Sequence, residues 1–438
     1  MKTFNEESVA RFYSVREGSN SWVHNPDLIR AWKDGRLLDV MPFALEFSPS
    51  LMCNLRCVTC PYDCVRKGGE LSRLRVPRGA FATPNDVTVI SMELARLVID
   101  RAIEAGVSGI VWTGGGEPTV IERLPEMIRY AAERGAFNGL YSNGINLGVH
   151  ERWLPAALLD PRNNMVFARL SLNFASPEVG RVFSEASPED IEAQFRGLQS
   201  LFAARRALLE RYPLDHVPSL QVSVICNRQN VQDLPRVFEM VTGIVAAQDY
   251  HHRNDAIVVR PLTMHCGIYS FSDHEDWVIQ DILKSCGCSA SPRRRLEEAG
   301  MNVRLGFGLE RVETEGVAYG DLNREEYAGR DCCWANGLFL TVGPDAKVHL
   351  CTDRNCYPSW AVGDLKTHTV AQIYHSPERR ALLDKVHSYC LGPEVCEPTC
   401  RAVRLNRVAK AIQSGELTDA DIKEIRCRSA GERPLLLS

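Results

Sequence analysis

The sequence predicts an α/β protein, a partial (β/α)6 barrel followed by a small cysteine-rich domain. Two observations predict it. From Phe43 to Leu262 short apolar runs alternate with helical periodicity, and after Asp331 that periodicity fades while cysteine density rises. Strand and helix in alternation build parallel sheets. The expected strands are Phe43–Phe47, Gly109–Thr113, Gly139–Ser142, Val166–Leu172, Leu220–Ile225 and Ile257–Val259. The clearest helix is Ser91–Ala105, with Leu94, Leu97, Val98, Ala102 and Ala105 on one face. Ser91 caps its start and Gly106 ends it in a left-handed conformation.

Four segments follow from this pattern: an N-terminal helical extension (1–42) packed outside the barrel, the barrel (43–265), a connector (266–330) and the cysteine-rich domain (331–438). The connector has charged and glycine-containing stretches around one short helix near Trp277–Lys284. A module with many cysteines and little periodicity is expected to be held by metal more than by a core.

With 45% hydrophobic and 24% charged residues the chain is an ordinary soluble globular one. Its 51 Lys and Arg against 55 Asp and Glu leave a net charge of −4, so no basic field draws it to nucleic acid or to an anionic membrane. No apolar run is long enough to span a bilayer and the first residues lack a signal-peptide core, which predicts a cytoplasmic protein. In a reducing compartment its 16 cysteines read as metal-binding or catalytic thiols rather than disulfides.

The first cysteines stand directly after the first strand, as Cys53-x3-Cys57-x2-Cys60. Three thiolates this close can ligate three irons of a cubane [4Fe–4S] cluster and leave the fourth open for chemistry. A zinc site completed by a distant ligand is the alternative. About fifty residues on, the second strand ends in Gly114-Gly115-Gly116-Glu117-Pro118, where glycines admit a close backbone approach and a carboxylate can balance an ammonium.

Together these residues resemble the radical S-adenosylmethionine (SAM) superfamily, with its three-cysteine loop after strand one and its Gly-Gly-Glu-Pro motif after strand two. The resemblance covers roughly residues 43–265. It implies that the cluster's open iron chelates SAM, that Gly115, Gly116 and Glu117 hold the SAM amino group, and that SAM is cleaved to a 5′-deoxyadenosyl radical. The family usually has an aromatic residue before the third cysteine. Here that position is Thr59, and Tyr62 is expected to stack near the adenine instead, while Cys64 is a bystander. Ser142 and Asn143 resemble the family's strand-three motif, and Ser171 and Asn173 its strand-four motif with Asn173 in place of the acid. Both pairs are expected near the SAM carboxylate or ribose.

The C-terminal cysteines resemble the auxiliary-cluster module called SPASM, or its shorter twitch-like form. Cys333-x12-Ala346-x4-Cys351 fits its first part with Ala for Gly, and Cys390-x5-Cys396-x3-Cys400 fits its second, with His387 where a cysteine should stand. The resemblance implies one auxiliary [4Fe–4S] cluster on Cys333 or Cys332, Cys351 and Cys400, with Cys356 as a candidate fourth ligand. A second would use Cys390, Cys396 and Cys427, completed by His387 or substrate. A single auxiliary cluster and a zinc-stapled tail are the alternatives.

Enzymes of this architecture act on peptides or on small molecules, and outside enzymes the rival is a cysteine-rich zinc or iron–sulfur binding protein without turnover. The short segment before the barrel favours a small polar metabolite over a leader-bearing peptide, with a flavodoxin- or ferredoxin-type protein as reductant. A dehydrogenation needs a base for the proton, and Asp353 and Arg260 are the candidates to face the substrate.

Overall fold

Each expected barrel strand forms. In the computed structural model they are β1 (Ala44–Phe47), β2 (Gly109–Trp112), β3 (Phe137–Ser142), β4 (Met165–Ser171), β5 (Ser219–Cys226) and β6 (Ala256–Pro261). They pair parallel in chain order. The structure describes residues 21–60, 62, 75–85, 87–213, 217–262, 276–287, 292–306, 309, 313, 333–334, 336–388 and 403–430.

The sheet then extends at both edges. β7 (Asn302–Leu305) adds parallel to β6, and β8 (Phe339–Val342) adds parallel to the other side of β1. β9 (Lys347–His349) and β10 (Ala361–Asp364) continue antiparallel, giving the order β10-β9-β8-β1-β2-β3-β4-β5-β6-β7. The stretch read as connector therefore holds more regular structure than its pattern suggests: helices Asp276–Gly287 and Pro292–Glu298 as well as β7. Four residues give too short an alternation to stand out in sequence. β7 is secured by tertiary contacts, among them the Asn302 N–H and side-chain amide, both on the Asp255 carbonyl.

The helix Met92–Glu104 is capped as expected, with Ser91 Oγ accepting from Leu94 N at 3.2 Å and Gly106 at φ +97°. Its buried face differs. Met92, Ala95, Val98, Ile99 and Ala102 face the sheet, while Leu94, Leu97 and Ala105 stay partly exposed on the flank. Both stripes are apolar, and the small Ala95 and Ala102 let the helix approach the sheet most closely.

Leu45, Phe47, Leu340, Val342 and Val348 join the main core against the outer helices, whereas Val111, Val166 and Phe167 form a separate cluster on the opposite, inner face. Alternation along β1, β2 and β8 makes this division, and on β4 a register shift against β3 at Val166 lets the consecutive Val166 and Phe167 join one cluster. A further core binds the ends of the chain together: Trp22 and Trp32 pack with Leu405, Val408, Ile412 and Ile425 of helices Val403–Ser414 and Asp419–Arg428. The N-terminal helix thus docks on the C-terminal helices. Among the described residues no helix is long and apolar enough to cross a membrane.

Candidate functional site

The cysteine loop leaves β1 at the C-terminal edge of the sheet and is held along its length. Leu51 N–H donates to the Thr88 carbonyl (2.7 Å), Val76 N–H to that of Cys53 (3.0 Å), and Arg56 and Val58 N–H to those of Ser184 and Phe183 (3.0 and 2.8 Å). Cys53, Cys57 and Cys60 are all partly exposed, whereas Cys226 is buried in β5. The Leu55 N–H points at Cys53 Sγ at 3.4 Å. Three partly exposed thiols share one fixed loop, the donor type an iron–sulfur cluster needs, although among the described residues no three His, Cys, Asp or Glu side chains stand grouped as a metal site.

The glycine turn packs on this loop. A Cβ on Gly116 would lie 2.1 Å from the Met52 carbonyl oxygen, and one on Gly114 would lie 1.5 Å from the Gly116 carbonyl oxygen. Glu117 N–H then donates to the Met52 carbonyl at 2.8 Å. These glycines bring β2's end against the residue preceding Cys53, a packing demand that the motif alone did not reveal.

Glu117 is almost fully buried, and its carboxylate accepts four hydrogen bonds. Oε1 takes Thr119 N (3.0 Å), Thr119 Oγ1 (2.6 Å) and Ser142 Oγ (2.8 Å), and Oε2 takes Asn143 N (2.7 Å). Burial pushes its pKa up, and the four donors pull the other way. Asn143 in turn donates its amide to Asn54 Oδ1 (2.6 Å) and lies 3.9 Å from Cys53 Sγ. Asn54 donates to Asn146 Oδ1 at 3.2 Å, and Asn146 donates to the Thr119 carbonyl at 2.9 Å. Glu117, Ser142 and Asn143 are thereby brought together with the Cys53 loop. Asn54 and Asn146 join the same network, although no motif singled them out.

The other expected residues spread around the rim. Ser171 ends β4, partly exposed, and Tyr62 is partly exposed beyond Cys60. Asn173 is buried, and its Oδ1 accepts from Ile225 N at 2.8 Å, tying β4 to β5. Arg260 stands near the end of β6, and Asp353 in the turn Thr352–Arg354.

In the C-terminal region Cys333 and Cys351 are partly exposed at the ends of the β8–β9 unit, and Asn406 Nδ2 approaches Cys333 Sγ at 4.0 Å. Cys427 is exposed on the last helix, and His387 belongs to the helix Pro377–Ser388. Cys64, Cys332, Cys390, Cys396 and Cys400 lie outside the described residues. Cys356 sits at the junction with the barrel. Its φ is +64°, and its sulfur is 3.1 Å from where a Cβ on Gly115 would be. Burial pushes its thiol pKa up. Beside it Asn355 donates to Ser48 Oγ at 2.7 Å, pinning the loop to the end of β1. His349 is buried on β9, which holds its pKa down at about 4.

The fold is an α/β protein with a mostly parallel sheet, whose cysteine loop and glycine turn lie at the C-terminal ends of the strands, the edge where such folds place ligands. The profile of SPASM, an iron–sulfur cluster-binding domain, matches residues 332–402. The chain is 23% identical over 231 residues to Fe-coproporphyrin III synthase of Methanosarcina barkeri, covering 50% of this chain and 48% of the relative. It is 28% identical over 208 residues to PqqA peptide cyclase of Rhodopseudomonas palustris, covering 47% and 45%. The matches span about half the length of these curated relatives. Among solved structures it is similar to Streptococcus suis SuiB bound to S-adenosylmethionine, at 12% identity and TM-score 0.48 over 87% of this chain and 76% of that one. The site, the SPASM match and these similarities together support a radical SAM enzyme with a C-terminal SPASM domain. The SPASM domain indicates auxiliary iron–sulfur clusters, and the similarities support a SAM-binding [4Fe–4S] cluster and SAM beside them.

Proposed function

We propose that this enzyme abstracts a carbon-bound hydrogen from a small polar metabolite of sugar, aminocyclitol or nucleoside type, in a biosynthetic oxidation or rearrangement. The observation that carries the reading is the hydrogen-bonded unit joining the Cys53 loop, the glycine turn and Asn143. Cys53, Cys57 and Cys60 would hold a [4Fe–4S] cluster, which when bound would supply the electron for reductive cleavage of SAM. The chain's own residues fix where this happens. Gly115 and Gly116 offer backbone to the amino group of SAM, with Glu117 behind them as the negative charge. Because protein donors already engage that carboxylate, much of its effect runs through Ser142 and Asn143, which it holds in place. Arg260 and Asp353 are proposed to face the substrate, and the SPASM domain to carry its second electron away.

A second reading, a ribosomal peptide as substrate, is favoured by the similarity to a relative named PqqA peptide cyclase. The anaerobically reconstituted, dithionite-reduced protein should form 5′-deoxyadenosine from SAM, and a substrate deuterated at the attacked carbon should pass its deuterium into it. Failure to form 5′-deoxyadenosine would refute the reaction. Turnover of peptides alone would replace the metabolite.

A further inference from the structure

The inner face of the β8–β9 hairpin carries two buried polar atoms that make no hydrogen bond, Thr341 Oγ1 and His349 Nδ1. Thr341 and His349 are directly opposed in antiparallel register, so their side chains share one face. Thr341 is 1% exposed and His349 4%, yet neither Thr341 Oγ1 nor His349 Nδ1 has a hydrogen bond. Buried polar groups are nearly always paired, and an unmet one costs about 1–3 kcal/mol. Two side by side mark a place where something else completes the structure.

That face is turned toward the interior of the barrel. Leu340, Val342 and Val348 alternate to the outer core, whereas Thr341 pairs in register with Glu46, and Glu46 with the inner-face Val111. Two residues past Thr341 the chain has Gly343, whose missing side chain leaves a narrow notch with neighbours on three sides. The position its Cβ would take is 3.1 Å from Asp345 Oδ1, 3.4 Å from His349 Cε1 and 3.6 Å from Cys356 Sγ. The same Cys356 thiol borders Gly115 of the glycine turn. The notch therefore lies one thiol away from the glycine turn.

We propose that this notch is a recognition subsite for a hydroxyl group of the substrate, held between Thr341 Oγ1 and His349 Nδ1. It rests on the proposed function for there being a substrate at this edge of the barrel. The chemistry selects a hydroxyl because one O–H both donates and accepts, which meets the threonine hydroxyl and either tautomer of the imidazole. An anion is disfavoured next to Asp345. No bare charge calls for a cation, because Asp345 already accepts from Lys347 N at 3.2 Å and pairs with its ammonium at 3.5 Å. The hydroxyl can belong to a free polyol or to a serine-like side chain of a peptide.

The test uses crystals of the cluster-loaded, SAM-bound protein, soaked separately in glycerol and in N-acetylserinamide. A probe hydroxyl within hydrogen-bond distance of both Thr341 Oγ1 and His349 Nδ1 is expected. Occupancy by glycerol alone indicates a free polyol, and by N-acetylserinamide alone a peptide. Water there in both soaks means a structural water site and overturns the proposal. Thr341→Val keeps the shape and should lose the bound hydroxyl while melting no lower than wild type, since it removes an unpaired buried group. A lower melting temperature with the probe still bound would assign Thr341 a purely structural role and also overturn it. Formation of 5′-deoxyadenosine by the same preparation reports separately on the reaction. Its absence with hydroxyl in the notch removes the reaction, and its presence with water alone removes the subsite.

Discussion

Glu117 Oε2 accepts the backbone N–H of Asn143 at 2.7 Å, so a carboxylate at the end of β2 fixes the residue whose side chain reaches the Cys53 loop. Replacing Glu117 by Ala leaves four buried donors unmet, a loss on the order of 3–5 kcal/mol if none relaxes. Urea denaturation should show this loss. A change below about 1 kcal/mol would mean that water replaces the carboxylate.

The same group sets a pH dependence. Burial raises the pKa of Glu117, so the folded state takes up its proton more readily than the unfolded chain does. Its contribution to stability is therefore largest below the unfolded carboxylate value and is lost as pH rises through the folded value. Glu117→Gln cannot titrate. The stability of wild type minus that of Glu117→Gln should increase as pH falls from about 7 to about 4.5, measured by urea midpoints at each pH. A constant difference would show that the carboxylate does not titrate differently in the two states.

Replacing Cys53, Cys57 and Cys60 together by Ala should remove one cluster and abolish 5′-deoxyadenosine formation while iron remains in the SPASM domain. Iron analysis per chain checks it. Each cubane holds four irons, so the residue would be near four for one auxiliary cluster and near eight for two. Retained SAM cleavage would remove these cysteines from the site.

Two glycines should respond in opposite directions. Gly116→Ala places a methyl 2.1 Å from the Met52 carbonyl oxygen, so the cysteine loop must shift, and lower iron occupancy with weaker SAM binding is expected. Gly243 lies within the helix Leu234–Ala246 with nothing within 4 Å of its would-be Cβ. Gly243→Ala should stabilise by about 0.5–1 kcal/mol through helix propensity, read as a higher thermal midpoint.

Much of this arrangement was legible in the sequence. The barrel strands were readable because each is a short apolar run closed by turn residues, and the cysteine loop and glycine turn because their chemistry sits in consecutive residues. What escaped depends on contacts between distant segments. β7 is too short to announce itself and exists through β6, and β8 looks like any β-stretch until it pairs with β1. Asn54 and Asn146 gain their roles only when three loops meet, and Cys356 becomes a neighbour of Gly115 across more than two hundred residues of chain. Spacing cannot report such neighbours.

The pairing of β8 with β1 bears on how this protein can be cut or recombined. A fragment ending before β8 would retain the first six barrel strands yet leave Ala44–Phe47 with an open flank of backbone N–H and C=O groups, where Phe339–Val342 now binds. Such a flank is a ready template for self-association. Barrel-only fragments should therefore precipitate or form mixed oligomers. A domain exchange with another protein of this class would have to carry Phe339–Val342 along with the barrel it completes.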